Sequence, residues 1–269
     1  MNLPSWINPI NEGLNLPATT MLVVLTLYLA ARALLVLAPM MVWALRSQFA
    51  RAHRVYRIEI TPQQIRYEVR TAFVNLLVDA AVLTAMIKSN LAQIGDSHVL
   101  ETAVFSFVWM EIWFYALHRV LHTRAFYFIH RVHHESKVTT PMTGMTFSVV
   151  ERALIVGGFG MGLLAMSFVV PVSPSGVAMY FMFNYTLGLF GHSNIEIYSP
   201  AVRQLLFFWT TPTHHSMHHA RVRGHYGLMT TVMDSLFRTE FSDYVHLHQQ
   251  AYSGEGATKL VKPQQREAA

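Results

Sequence analysis

The stretch TMLVVLTLYLAARALLVLAPMMVWAL, Thr20 to Leu45, is apolar from end to end except for Arg32. A bilayer core about 30 Å thick needs about 20 mostly apolar helical residues, so this run is long enough to cross one. No Lys or Arg precedes Arg32, and the apolar part outruns that of a cleavable signal. It reads as a permanent anchor.

Four further runs follow: Thr71 to Ala92 with Asp79 and Lys88 inside it, Val99 to Leu117 with Glu101 and Glu111, Met145 to Val170 around Arg152, and a shorter Gly176 to Phe190. The last follows the turn Pro171-Val-Ser-Pro-Ser-Gly176. The expected fold is an all-α integral membrane protein with five membrane-embedded helices. They form either five spans or three spans plus a re-entrant hairpin. The expected organisation is an anchor and basic segment over 1–70, a catalytic domain over 71–245 and a polar tail over 246–269, disordered from residue 252. Lys88 and Arg152, near span ends, are expected to snorkel to the interface.

Composition agrees. Of 269 residues, 52% are hydrophobic and 13% charged, against roughly 25% charge in an ordinary soluble domain. There is no cysteine, which excludes disulfide scaffolds, thiolate haem and cysteine-ligated iron–sulfur clusters. The net charge of +5 raises nucleic acid as a partner, but such proteins need charge-rich faces, and none is present.

The positive charge instead orients the chain. Six arginines fall in 46–70, four Lys/Arg in 118–137 and seven in 192–269, while 1–19, 94–98 and 171–175 hold none. Seventeen of 20 therefore lie on one side, which the positive-inside rule makes cytoplasmic. The arginine-rich 46–70 segment fits anionic headgroups. Fourteen of the 15 histidines share that side, and only His98 sits in an outer turn.

Those histidines are clustered as His118-Arg-Val-Leu-His122, His130-Arg-Val-His133-His134 and His214-His215-Ser-Met-His218-His219. Residues three and four apart on a helix share a face, so each cluster presents two or three imidazoles together. One metal takes about four to six ligands, and three such clusters supply enough for two. Imidazole suits zinc, copper, iron and nickel alike. His-Glu-x-x-His is absent, and no glutamate has a histidine three residues on, which sets aside metalloproteases and soluble di-iron bundles.

The ordered boxes His118-x-x-x-His122, His130-x-x-His133-His134 and His215-x-x-His218-His219 resemble the fatty acid hydroxylase/sterol desaturase superfamily. The flanks Phe126-Tyr-Phe-Ile-His-Arg-Val-His-His-Glu135, Thr211-Pro-Thr-His-His-Ser-Met-His-His-Ala-Arg221 and Met233-Asp-Ser-Leu-Phe-Arg-Thr239 look similar too. His192, in Phe190-Gly-His-Ser-Asn194, falls where that family has a further ligand. The third-box flanks look most like sterol desaturase-type members. There are departures: His225-Tyr226-Gly227 stands where relatives often carry Asn-Tyr-Gly, Met233 replaces a common Trp, and Arg238 a common Gly.

The resemblance implies a membrane di-iron oxidoreductase with O2 as co-substrate, in which zinc can replace iron in recombinant protein. It implies His118, His122, His130, His133, His134, His192, His215, His218 and His219 as ligands, with His214 and His225 as possible additions. Glu111, seven residues before His118, and Asp234 are candidates to orient ligands. Hydrogen abstraction from a lipid carbon followed by rebound gives an alcohol; a second abstraction gives an alkene.

Reducing equivalents must come from elsewhere, because Gly157-Gly-Phe-Gly-Met-Gly162 lies within a membrane run and lacks dinucleotide-binding spacing. Its Gly158-x-x-x-Gly162 reads as close helix packing. The expected partners are a membrane lipid substrate and an external donor, either cytochrome b5-like or a ferredoxin with its reductase. The expected substrate is a sterol-like or fatty-acyl lipid, with Trp109, Met110, Trp113, Phe114, Met179 and Phe183 as candidate pocket residues. The alternatives are a carotenoid hydroxylase of the same chemistry or a non-enzymatic metal transporter or sensor. The expected location is multi-pass in a bacterial inner membrane or an endoplasmic reticulum, with the metals on the cytoplasmic face.

Overall fold

A computed structural model describes residues 16–89, 91–95 and 97–260. Among these residues all regular structure is helical, apart from isolated β-bridges. Helix α1, Ala18–Arg46, contains a π-turn over Ala33–Leu37. Pro39 cannot donate to a carbonyl four residues back, and a widened turn just ahead of it lets the helix continue.

Helix α2 is Pro62–Lys88, α3 Val99–Leu121, α4 Val149–Ser167 and α5 Pro174–Gly191. The first four helices are long and apolar enough to cross a membrane. Helix α5, interrupted by Tyr180, Asn184 and Tyr185, falls short of that measure and packs along α3. Large apolar side chains on α1, such as Leu27, Leu34 and Leu35, point outward, as lipid contact requires.

Helix α2 starts nine residues before the apolar run at Thr71. The Thr61 hydroxyl accepts from the Gln64 N–H, and Pro62 occupies the first helical position. Part of the basic segment is thus helical, with Arg66 and Arg70 on its early turns. Ser148 and Ser173 cap α4 and α5 in the same way.

Arg152 does not snorkel. It forms a two-pronged pair with Asp79, Nε to Oδ1 at 2.5 Å and an Nη to Oδ2 at 2.6 Å, tying α4 to α2. Two opposite charges inside the helical bundle satisfy one another without reaching water. The glycine pair behaves as expected: a Cβ on Gly158 would lie 2.0 Å from the Trp113 ring, and one on Gly162 2.3 Å from Trp109. The Trp109 indole N–H also donates to the Gly158 carbonyl at 2.9 Å.

The polar segments form a smaller helical region with a core of its own. It holds the short turns Tyr127–His130, His133–Glu135 and Pro141–Met145, helix α6, Pro212–Arg221, and helix α7, Tyr244–Tyr252. Its core is Val55, Tyr56, Val138, Met217, Tyr244, Leu247 and Ala251. Residues 252–260, expected to be disordered, are instead anchored: Ala257 exchanges backbone hydrogen bonds with Val55 and Arg57. The rest of the tail, 261–269, lies outside the described residues, as does most of the N-terminal segment preceding α1.

Candidate metal centre

Box one is carried by the last turn of α3, where His118 precedes the helix end by a turn and His122 caps it. Box two spans two short turns, which puts His130, His133 and His134 on a tight bend. Box three lies on α6, opened by Thr211 accepting from the His214 N–H and by Pro212. His192 caps the end of α5. The end of α3, the bend at 130–134, the end of α5 and helix α6 thus bring their histidines together.

They converge as two groups. His118, His122, His130, His134 and His218 form one, and His133, His192, His215 and His219 the other, with candidate ligand nitrogens within 4.8 Å of one another in each group. Box two is divided between them: His130 and His134 join the first group and His133 the second. Box three divides likewise, with His218 in the first and His215 and His219 in the second. All nine histidines named from the sequence are used, and all but His122 are buried.

Ring orientation is set by backbone acceptors. The Nδ1–H groups of His118, His133, His192, His218 and His219 donate to the carbonyls of Tyr226, Thr146, Gly188, Gly224 and Ser136 at 2.7–3.0 Å. That of His130 donates to the Glu151 carboxylate at 2.6 Å. A neutral imidazole donating from Nδ1 carries a lone pair on Nε2. Yet Nε2 of His118 lies 3.1 Å from Nε2 of His130, and Nε2 of His133 lies 3.4 Å from Nε2 of His192.

Two lone pairs at that distance repel unless a cation sits between them. A metal with bonds of about 2.1 Å to nitrogen sets its ligands about 3 Å apart, close to these spacings. Further Nε2 pairs, His122 with His118 and with His218, and His215 with His192 and with His219, fall at 2.8–3.2 Å. The donor set fits two imidazole-bound metal ions.

Burial, reinforced by neighbouring rings, keeps the imidazoles neutral, as ligation requires. It lowers His130, His133, His215, His218 and His219 well below the ordinary histidine range. His134 is lowered to about 3 and His192 to about 4.

His214 and His225 lie outside both groups. They stack face to face at 3.7 Å, and His225 bridges the chain by donating from Nδ1 to the His214 carbonyl and accepting from the Phe241 N–H. The departures at His225 and Arg238 now have a backbone reason. Both residues are left-handed, with φ of 56° and 55°, a conformation that Asn and Gly adopt most easily. The positions retain the conformation with a costlier residue.

Glu111 and Asp234 touch the turn beside the histidine groups rather than the nine rings. Glu111 accepts from the Met229 and Thr230 N–H groups and the Thr230 hydroxyl. Asp234 accepts from the Tyr226 and Gly227 N–H groups at 2.8 Å, on the same residue whose carbonyl receives His118. Sequence reasoning missed Glu151, among the described residues the one carboxylate bonded to a cluster histidine. Its signal was present: an acid within an apolar run demands a partner.

A cavity of 420 Å³ opens beside the second group, lined by His133, His192 and His215 at one end and by residues of α1, α2, α3, α4 and α5 beyond. Of the expected pocket residues Met110 and Phe114 line it. Trp109 and Trp113 instead fill the grooves over Gly158 and Gly162, and Met179 and Phe183 are exposed.

Comparison with known proteins agrees with this architecture. A very-long-chain aldehyde decarbonylase of Oryza sativa is 28% identical over 228 residues, covering 78% of this chain and 34% of that protein. A very-long-chain aldehyde decarbonylase of Arabidopsis thaliana is 29% identical over 135 residues, covering 48% and 22%. The chain thus spans 22–34% of the length of these relatives. No solved structure matches it. Residues 103–239 match the fatty acid hydroxylase family, and with all three histidine boxes inside that match, the chain is a membrane protein of the fatty acid hydroxylase family.

Proposed function

We propose that the protein is an O2-dependent di-iron oxidoreductase that hydroxylates or desaturates a fatty-acyl or sterol-like membrane lipid. The observation that carries this reading is the pair of histidine groups, the second of which opens onto an apolar cavity among the long helices. Two bound irons would supply reductive activation of O2 and the oxidising power to take a hydrogen atom from an unactivated carbon, which side chains alone do not provide.

The chain's own residues would do the rest. Six of the nine rings, His118, His130, His133, His192, His218 and His219, are held at fixed angles by carbonyls and by Glu151, which fixes the tautomer and raises ligand basicity. Phe147 stacks on the His133 ring at 4.5 Å, so that ligand is clamped from the cavity side as well. Met110, Phe147, Phe159 and Phe181 line the cavity and exclude water from a lipid chain within it. His133, His192 and His215 bring the second group to the cavity wall, where a carbon of the substrate would come to rest.

The positive-charge asymmetry supports a cytoplasmic cap, where an external cytochrome b5-like protein or ferredoxin would deliver electrons. A second reading keeps the same centre and changes the outcome: the relatives are named very-long-chain aldehyde decarbonylases, so an aldehyde could lose its carbonyl carbon here. Comparative lipidomics of a deletion strain, with iron analysis of the purified protein, tests both. A lipid lacking one hydroxyl or double bond in the deletion strain supports the first reading, and loss of a chain one carbon shorter than its precursor supports the second. An unchanged lipid profile with no iron in the protein would sink both.

A further inference from the structure

Arg32 is the one charge within the apolar run Thr20 to Leu45 of the anchor helix, and nothing in the catalytic centre uses it. Its side chain is about nine-tenths buried and lines the cavity that reaches His133, His192 and His215. Its guanidinium lies over the Tyr185 ring, 3.9 Å from the centroid. Its Nε is buried without a hydrogen-bond partner, and so is the Tyr185 hydroxyl.

The nearest acid does not neutralise it. Asp79 gives both carboxylate oxygens to Arg152, so that pair is internally balanced. The cavity wall is left with one surplus positive charge and two unused donors, the Arg32 Nε–H and the phenol O–H of the ring beneath that guanidinium. A buried cation without a counter-charge is costly, and a ring face compensates it only in part. The complement of this arrangement is one negative charge carried on two oxygens.

We propose that Arg32 and Tyr185 form an anchoring site for the carboxylate of a long-chain amphiphile, whose tail occupies the cavity. This inference rests on the proposed function for its consequence, not for its geometry. Tyr185 and His192 belong to one helix, seven residues apart, which is about 10 Å along its axis. A chain held by its carboxylate at Arg32 would therefore present an internal carbon, well removed from the carboxyl end, to the second histidine group. Arg32 is then a positioning residue that selects where along the chain the reaction falls.

The test is binding, measured without turnover. Purified, metal-loaded protein in nanodiscs is titrated with radiolabelled palmitate in competition with hexadecanol and hexadecanal. Wild type is expected to favour palmitate over hexadecanol by about ten- to a hundred-fold, the range for a charge-assisted hydrogen bond. Arg32→Gln should reduce the preference to within about two-fold, with hexadecanol binding unchanged; Arg32→Lys should retain part of it, and Tyr185→Phe should lose a smaller part.

A wild type that binds the three chains equally overturns the proposal, even where Arg32→Gln cannot be recovered folded. An Arg32→Gln protein that keeps the carboxylate preference overturns it as well. The two readings fail separately. Protein that retains no iron but prefers palmitate contradicts only the oxidoreductase, and protein that oxidises lipid but shows no preference contradicts only the anchoring site.

Discussion

The two histidine groups are built from the same boxes but placed differently. The five-ring group of His118, His122, His130, His134 and His218 lies away from the cavity wall, and its His130 is braced by the Glu151 carboxylate. In the four-ring group of His133, His192, His215 and His219, all but His215 are braced by backbone carbonyls, and three of its members line the cavity. One site has an anionic outer partner and no opening to the cavity; the other has neutral partners and an opening. Outer partners tune a metal as strongly as its ligands position it, so the two ions should differ in affinity and in access to substrate.

The largest expected effect comes from removing one ring from each group. His133→Ala should leave the five-ring group loaded, lose the other metal and abolish turnover, while His134→Ala should do the reverse for the metals. Iron content per chain with an iron-specific spectroscopy reads this directly; activity that survives His133→Ala would make the ligand assignment wrong. Next in size is Glu151→Gln. It removes the anionic partner of His130 and should weaken the five-ring site by about 10- to 100-fold, leaving the four-ring site near its wild-type affinity. Equal weakening of both sites would erase the distinction between them.

Smaller effects test the frame that holds the two groups at their separation. Gly158→Ala puts a methyl group into the Trp113 ring and should destabilise the α3–α4 contact by about 1–3 kcal/mol, read as a fall in melting temperature. The smallest change goes the other way. Val222, which ends the helix carrying box three, is left-handed at φ 68°, a conformation that costs a side-chain-bearing residue about 1–2 kcal/mol. Val222→Gly should stabilise the protein by about 1 kcal/mol, with metal content unchanged. A fall in stability would mean that the valine side chain contributes more by packing than the backbone loses by strain.

Much of this was legible in the sequence because the relevant signals are local. The apolar runs announce their own helices, and the i, i+4 histidines their own faces. What the runs do not reveal is pairing across the bundle. Arg152 near a span end looks like a snorkelling cation, and only the packing of α4 on α2 brings it to Asp79. Glu151 was hidden for the same reason: its partner, His130, stands on a different element.

The apolar run marks α2 only from Thr71, whereas Thr61 and Pro62 begin the helix nine residues earlier, in the basic segment. The division of boxes two and three between the groups follows from how the bend at 130–135 meets α6. Spacing within a box cannot specify that meeting. The left-handed backbone at His225 and Arg238 was visible only as a departure from relatives, without its conformational meaning.

The central claim is that nine histidines hold two metal ions in two unlike sites. Anaerobic titration of the metal-free protein with ferrous iron tests it most directly. The expected result is two equivalents bound per chain in two resolved phases, one phase lost in His133→Ala and the other in His134→Ala. Binding of a single equivalent, or two phases that both survive either substitution, would contradict it.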